Sequence, residues 1–478
     1  MLSRINSKST IYLIALILLV IILRIIMMNT LPLMDTTEAR YGELARVTAI
    51  GNYWLMPHMS TTQPFFAKPP LSTWFAASSW LELGHNEFSL RLPSLILVLL
   101  TCLALLYGAS SISLTKHQWW LACFVILTAP VGFISAGAVM TDATQLAVIT
   151  WAMVFLWRLQ QMSEQKKIDQ YGFWIALGLG AIAKGLATWA LIGLPVLLFW
   201  ACSSKEIIHH HFKKIWFWPG ILVFIGIVLV WYVPAEIYYP GFLKYFIIGE
   251  HFQRFLEPGW KGDMYGVAHR EAIGMIWLYW VVSVSIWLPI FINSLIKDRP
   301  LINSKLDIES KWLWAWTLAP LLFFTFSRNI IWTYTLTALP AFALLTAKSW
   351  STLSSRFRII MKLVIATWLI LGIVATLIWI PQVAETRSAR KFINEAHQKY
   401  FKLPLYSYGS HEFSVSYYTN GQIHVVENQA ALTKVLLQPD ILLITSTKLA
   451  KQTELTGRVK IIDNNAFHAL LITKHENH

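Results

Sequence analysis

Apolar runs of roughly membrane-crossing length, separated by short polar connectors, dominate the chain. A crossing helix needs about 20 mostly apolar residues. On that measure about eleven spans are expected, near residues 11–31, 90–110, 118–136, 140–159, 171–183, 185–202, 216–235, 273–296, 312–327, 329–347 and 359–380. The fifth, ninth and tenth are short or closely joined, so the expectation is about 11–13 helices. Two connectors are long. The first, from about Pro32 to Ser89, holds two helix-like stretches, Glu38–Ile50 and Leu71–Leu83, around a segment punctuated by Pro and Gly. Leu71, Trp74, Phe75, Ser78 and Leu81 share one face at helical spacing, as in a helix lying in an interface. The second, from about Ala235 to Glu271, is rich in aromatic and charged residues. After Pro381 the pattern changes. Ala384–Tyr400 reads as a polar helix, and Leu403–Tyr408, Ile423–Val426, Ile441–Thr445 and Leu470–Thr473 read as short strands. The expected division is a transmembrane unit over 1–381 and a small α/β domain over 382–478.

Composition sharpens this picture. Of 478 residues 56% are hydrophobic and only 13% charged, against about 25% charged in soluble proteins. The 24 Trp and 17 Tyr suit the two membrane–water interfaces. A net charge of +14 raises nucleic acid as a partner, but the basic residues are spread over short loops. Lys116, then Lys166 and Lys167, then Lys205, Lys213 and Lys214, then Lys297, Arg299, Lys305 and Lys311, then Lys348, Arg356 and Arg358 fall in alternate connectors, on the side of Arg4 and Lys8. The positive-inside rule places those loops and the N-terminus in the cytoplasm and the C-terminal domain outside. The first apolar run is too long for a signal-peptide core and reads as an uncleaved anchor. Cys102, Cys123 and Cys202 lie in or beside apolar runs, so no disulfide framework is implied.

The ionic residues suited to chemistry then gather on the outer side. Asp35, Glu38, Arg40 and Tyr41 follow the first span. A carboxylate there can act as a base or orient an acceptor, while Glu38 equally suits the first turn of a helix capped by Thr36 or Thr37. Lys68 sits before Pro69-Pro70, which fix an extended entry into a helix; it can meet a phosphate or simply anchor the interface. Asp142 opens an apolar run and is a catalytic or an N-capping carboxylate. Glu250, His251, Arg254 and His269 lie in the second long connector. Arg254 suits a phosphate through its donor fork, and the two histidines offer weak metal ligands. Lys184, Arg328 and Tyr334 stand at span ends, where a charged or amphipathic side chain also snorkels. His209–His211 read as solvated residues of an inside loop.

Taken in order, these segments resemble one family. Glu38-x-Arg40-Tyr41 within Asp35–Arg46, Lys68-Pro69-Pro70, Asp142, Lys184-Gly185, Glu250-His251-x-x-Arg254-Phe255 and Arg328…Tyr334…Pro340 are similar to the bacterial aminoarabinose lipid A transferases and protein O-mannosyltransferases, over roughly residues 30–345. The resemblance implies a GT-C glycosyltransferase of the bacterial inner membrane. It implies a polyprenyl (undecaprenyl) phosphate sugar as donor and lipid A or another envelope glycan as acceptor. By resemblance Lys68, Arg254 and Tyr334, joined by Arg40, Tyr41 and Arg328, hold the donor phosphate, and Asp35, Glu38 and Asp142 supply carboxylates at the reacting centre. Two positions depart from the aminoarabinose enzymes. Ala67 stands where they carry a Glu metal ligand, leaving His251 and His269 as the candidates for zinc, and Thr37 stands where they carry Asp. A protein acceptor, a transporter of lipid-linked sugars and a non-catalytic assembly protein remain as alternatives.

Overall fold

The computed structural model describes residues 2–161, 166–266, 269–300, 306–400, 403–409, 413–454, 459–465 and 467–473. Each expected span is helical. Among the described residues four helices are long and apolar enough, by length and composition, to cross a membrane: Lys8–Thr30, Glu87–Ser111, Trp218–Tyr238 and Ser355–Thr386. The others gain their place by packing. Asp142–Gln161 is buried along nearly its whole length, and it packs against Lys167–Lys184 and Glu87–Gly108. The chain is thus a polytopic membrane protein with a helical bundle at its centre.

Local chemistry sets the helix ends. Asn86 accepts from the Ser89 amide at the start of Glu87–Gly108. Thr115 and Gln118 form a reciprocal capping box before Lys116–Thr128. At the end of the bundle away from the C-terminal sheet, Arg158 Nε meets Asp169 Oδ1 at 2.9 Å, and Tyr107 donates to the same oxygen at 2.8 Å. Three helices are tied there by one buried carboxylate.

Several expectations are corrected. The segment expected as a span over 273–296 is two helices, Met275–Ser283 and Leu288–Asp298, meeting at 118°. Residues 332–338 form a tight 3₁₀ stretch before the helix Leu339–Trp350 begins with Pro340 in its first turn. The aromatic residues are not all interfacial: Trp280, Trp287, Trp312, Trp314 and Trp316 are fully buried in the bundle core. The basic connector 205–215 is a helix, and His211 is buried rather than solvated, accepting from Trp200 Nε1 at 3.0 Å.

The first long connector folds as its pattern predicts, into helices Thr37–Gly51 and Leu71–Leu83. On the latter Phe75, Ser78 and Leu81 are exposed, whereas Leu71 is buried and Trp74 half-buried. The chain beyond the last span forms a five-stranded sheet of β1 (Leu405–Tyr408), β2 (His424–Val426), β3 (Leu442–Ser446), β4 (Val459–Asn464) and β5 (His468–Thr473) in the order β2-β1-β3-β5-β4. The first three are parallel, and β5 runs antiparallel to β3 and β4. Strand β4 escaped the sequence reading because Lys460, Asp463 and Asn464 interrupt its apolar residues. The polar helix expected over 384–400 is interrupted at Arg387–Ala389 and resumes as Arg390–Lys399. The sheet unit docks on the first connector: Arg46 donates to the Asn420 carbonyl, and Tyr418 receives the Leu33 amide and donates to Glu87.

Candidate functional site

Two cavities open at the sheet end of the bundle. The smaller, ≈ 370 Å³, has an apolar body that includes Leu186, Leu191, Phe252 and Phe323. Its polar wall brings together Lys68, Lys184, Glu250, His251, Arg254 and Tyr334. These residues span 267 positions of sequence, and each is delivered by a different device. Lys68 enters from the loop before Pro69-Pro70. Lys184 is the last residue of its helix, which stops at Gly185 with φ +65. A side chain at Gly185 would strike Phe246 at 2.6 Å and His251 at 2.9 Å, so only glycine permits this close approach. Glu250 and His251 lie on a π-helical stretch, Lys244–Gln253, and Arg254 follows directly. Tyr334 is on the 3₁₀ stretch.

The polar wall is organised by two carboxylates. Glu250 accepts from Lys68 Nζ at 2.7 Å and from Arg254 at 3.0 and 3.1 Å. Tyr245 adds a hydrogen bond at 3.2 Å. Arg254 also meets Asp263 at 3.2 Å. Asp142 accepts from Lys184 at 2.9 Å and from Thr333 at 3.1 Å. The Lys184 ammonium lies 4.9 Å above the Tyr334 ring. Burial opposes ionisation of Glu250, yet Lys68 and Arg254 outweigh it and hold the carboxyl below its ordinary range. Burial lowers the Lys68 ammonium, and Glu250 offsets this only in part because Arg254 and Lys184 press on the same group. The two shifts have one cause. Lys68 and Arg254 share Glu250, and Arg254 also pairs with Asp263, which sets two cationic donors at the wall of a largely apolar cavity. A phosphate answers such charge well.

The larger cavity, ≈ 880 Å³, lies between the first span, the helices Lys116–Thr128 and Pro130–Ser135 of the third, and the last span. Asp35, Thr37, Glu38, Arg91 and His269 line it. Asp35 and Glu38 share this cavity, whereas Arg40 does not line it. Asp35 accepts from the Ser414 amide at 3.0 Å and from the Ser414 hydroxyl. Glu38 is a buried partner of Arg91, at 2.8 and 2.9 Å, and burial is overcome by Arg91 to keep its carboxyl ionised below the usual range. The cap expected of Thr36 is not made. Arg40 donates to the Tyr265 carbonyl at 3.0 Å and stacks near Tyr41. Burial raises the Tyr41 hydroxyl. Arg328 donates to the Glu271 carbonyl at 3.1 Å. Glu250 and Thr333 are the site residues whose part the sequence reading missed. Glu250 stood in a quoted motif, but its pairing with Lys68 spans 182 positions and leaves no local signal.

The residues do not make a zinc site. His251 lines the smaller cavity and His269 the larger. His251 is held between the Phe246 and Lys184 carbonyls at 2.8 and 3.3 Å, and Ala67 brings a methyl group beside Lys68. Among the described residues no three His, Cys, Asp or Glu side chains gather as a metal would require.

Comparison with known proteins finds relatives in sequence and in fold. The family model described as dolichyl-phosphate-mannose-protein mannosyltransferase matches residues 67–233. An undecaprenyl phosphate-alpha-4-amino-4-deoxy-L-arabinose arabinosyl transferase of Proteus mirabilis is 26% identical over 364 residues, covering 72% of this chain and 60% of its own. The corresponding enzyme of Pectobacterium atrosepticum is 26% identical over 353 residues, covering 72% and 59%. The chain thus spans about three fifths of the length of these curated relatives. The crystal structure of ArnT from Cupriavidus metallidurans bound to undecaprenyl phosphate superposes with a TM-score of 0.77 at 16% identity, over 98% of this chain and 99% of that one. The chain therefore shares the GT-C fold of that structure, and in sequence it is similar to the aminoarabinose transferases and, over residues 67–233, to the protein mannosyltransferases.

Proposed function

We propose that the chain is a glycosyltransferase that moves a sugar from polyprenyl (undecaprenyl) phosphate to lipid A or another envelope acceptor, at the periplasmic face of the bacterial inner membrane. The observation that carries this reading is the convergence of Lys68, Arg254 and Lys184 on the polar wall of a cavity whose body is apolar. That combination suits an isoprenoid chain bearing a phosphate. The relatives named for an undecaprenyl phosphate-linked sugar support the same donor. The alternation of basic loops supports a cytoplasmic N-terminus and a periplasmic sheet domain.

The chemistry is an inverting displacement. An acceptor oxygen attacks the anomeric carbon, the bond from that carbon to the phosphate oxygen breaks, and polyprenyl phosphate leaves with the electron pair. Lys68 and Arg254 face the oxygen on which charge develops, and Tyr334 completes the wall. Asp142 is the carboxylate best placed for the reacting centre, because it bonds Thr333 and Lys184, and Lys184 lies over the Tyr334 ring at the cavity wall. Its Oδ1 already accepts from Lys184 and Thr333, an arrangement that suits orienting a phosphate acceptor. Asp35 and Glu38, by contrast, have structural partners. Mass spectrometry of lipid A from cells with and without the gene tests the reading. A sugar-sized mass increment present only with the gene is expected; identical lipid A in both removes lipid A as acceptor.

A further inference from the structure

The smaller cavity is also lined by two neutral amides that the contacts to the donor phosphate do not use. Asn329 lies on the irregular turn between the helix Ile308–Thr325 and the 3₁₀ stretch. It lines the cavity and is only 7% exposed. Its Oδ1 accepts from the His269 amide at 3.0 Å. A backbone N–H must face an oxygen, so this bond fixes which end of the side chain is which. The other end, Nδ2, has no hydrogen-bond partner among the described residues. Gln145 is the second amide. It follows Asp142 by one turn on the same face of the helix Asp142–Gln161. It lines the same cavity and is 4% exposed. Among the described residues its side chain makes one long bond, between Nε2 and Thr188 Oγ1 at 3.4 Å. A hydroxyl can donate or accept, so Gln145 can turn either face of its amide to the cavity.

A buried amide N–H without a partner costs stability, and a ligand oxygen placed against it recovers that cost. The donor phosphate does not call for these amides, because Lys68, Arg254 and Lys184 already answer its charge at the same wall. The isoprenoid chain does not call for them either, since it offers no hydrogen-bonding atom. The part of the donor that remains is the sugar. It is joined to the phosphate through one oxygen, so its ring must lie beside the wall that holds the phosphate. A sugar presents oxygens that accept from an amide N–H and hydroxyl or amino groups that donate to an amide carbonyl. Asn329 offers the donor with its polarity fixed, and Gln145 adapts to either. Buried polar groups of this kind reject a ligand that leaves them unpaired.

We infer that Asn329, assisted by Gln145, selects the sugar of the donor, with Asn329 Nδ2 donating to a ring or hydroxyl oxygen. This rests on the proposed function, because the site is the donor cavity itself. The selection is testable by binding, without any transfer.

The probes are undecaprenyl phosphate and its aminoarabinose, mannose and glucose conjugates, titrated onto the detergent-solubilised full chain and read by native mass spectrometry. The unaltered chain should prefer one conjugate over the other two. Asn329→Ala should weaken that conjugate by about tenfold relative to undecaprenyl phosphate, as loss of one buried hydrogen bond implies. Asn329→Asp keeps an oxygen for the His269 amide and removes only the donor, so it should lose the same margin. The charge it adds acts on the phosphate of both ligands and cancels in their ratio. Gln145→Leu should narrow the preference among the conjugates. A full margin in Asn329→Asp would overturn the inference, because the bond to His269 alone would then explain any loss in Asn329→Ala. So would an unaltered chain that binds all three conjugates equally. In both of those cases undecaprenyl phosphate still binds, and the donor cavity stands. An unaltered chain that binds neither undecaprenyl phosphate nor any conjugate would remove the donor assignment, and the inference with it.

Discussion

At the scale of single residues, the donor site depends on Glu250, which serves both Lys68 and Arg254, with Asp263 as a second partner of Arg254. Removing a cation and removing the carboxylate should therefore differ. Lys68→Ala or Arg254→Ala deletes a charge that faces the leaving phosphate, and should lower transfer by about 10²–10³ at normal expression, the usual cost of one preorganised donor. Steady-state transfer by purified variants checks this. Glu250→Gln leaves both cations but unlocks their geometry. Its clearest effect is on acid stability. The folded carboxyl is held below 4.5, so its stabilising contribution is complete above about pH 4.5 and is lost as pH falls through the folded value. Thermal unfolding followed from pH 7 to pH 3 should show a step in that acid window that Glu250→Gln lacks. An identical pH profile for both proteins would show that the shared carboxylate does not hold the cluster.

Lys68, Asp142, Lys184 and Tyr334 were legible as candidates because each breaks an apolar pattern at the end of a span or beside a proline pair, and Arg254 because its donor fork suits a phosphate. The resemblance grouped Lys68, Arg254 and Tyr334, but the pairings that hold the wall together were not legible. Nothing local distinguishes Asp142, which reaches the smaller cavity's wall through Lys184, from Asp35, which turns to Ser414 379 positions away.

At the scale of elements, apolar periodicity located the spans and both helices of the first connector. It failed where length and composition stop deciding. The bend between Met275–Ser283 and Leu288–Asp298 lies inside a continuous apolar run. The 3₁₀ stretch that delivers Thr333 and Tyr334 likewise read as helix. The sheet unit grips the connector through Asp35, so Asp35→Asn and Ser414→Ala should each lower stability by about 1–3 kcal/mol, the cost of leaving a buried polar partner unmatched. Asp142→Asn, in contrast, should suppress transfer in a protein of ordinary thermal stability. Paired melting and transfer measurements separate the two carboxylates. An Asp35→Asn variant that melts normally and transfers nothing would assign the reacting-centre role to Asp35.

At the scale of the whole molecule, the account requires every residue of the donor wall to lie on one side of the membrane and the basic loops on the other. The exposed native Cys202 belongs to the latter. After Cys202→Ser, Lys261→Cys should react with a membrane-impermeant thiol reagent applied from the periplasm, whereas Lys213→Cys should react only after the inner membrane is opened. The reverse pattern would invert the topology.

The central claim is that Lys68 and Arg254 hold the phosphate of a polyprenyl donor while its sugar is transferred. The most direct test is single-turnover transfer from undecaprenyl phosphate-linked aminoarabinose to lipid A in proteoliposomes containing the purified chain, quantified by mass spectrometry alongside undecaprenyl phosphate binding. The account predicts transfer by the unaltered chain, and loss of both donor binding and transfer in the Lys68→Ala/Arg254→Ala double variant at an unchanged melting temperature. A double variant that binds undecaprenyl phosphate and transfers the sugar as the unaltered chain does would contradict it.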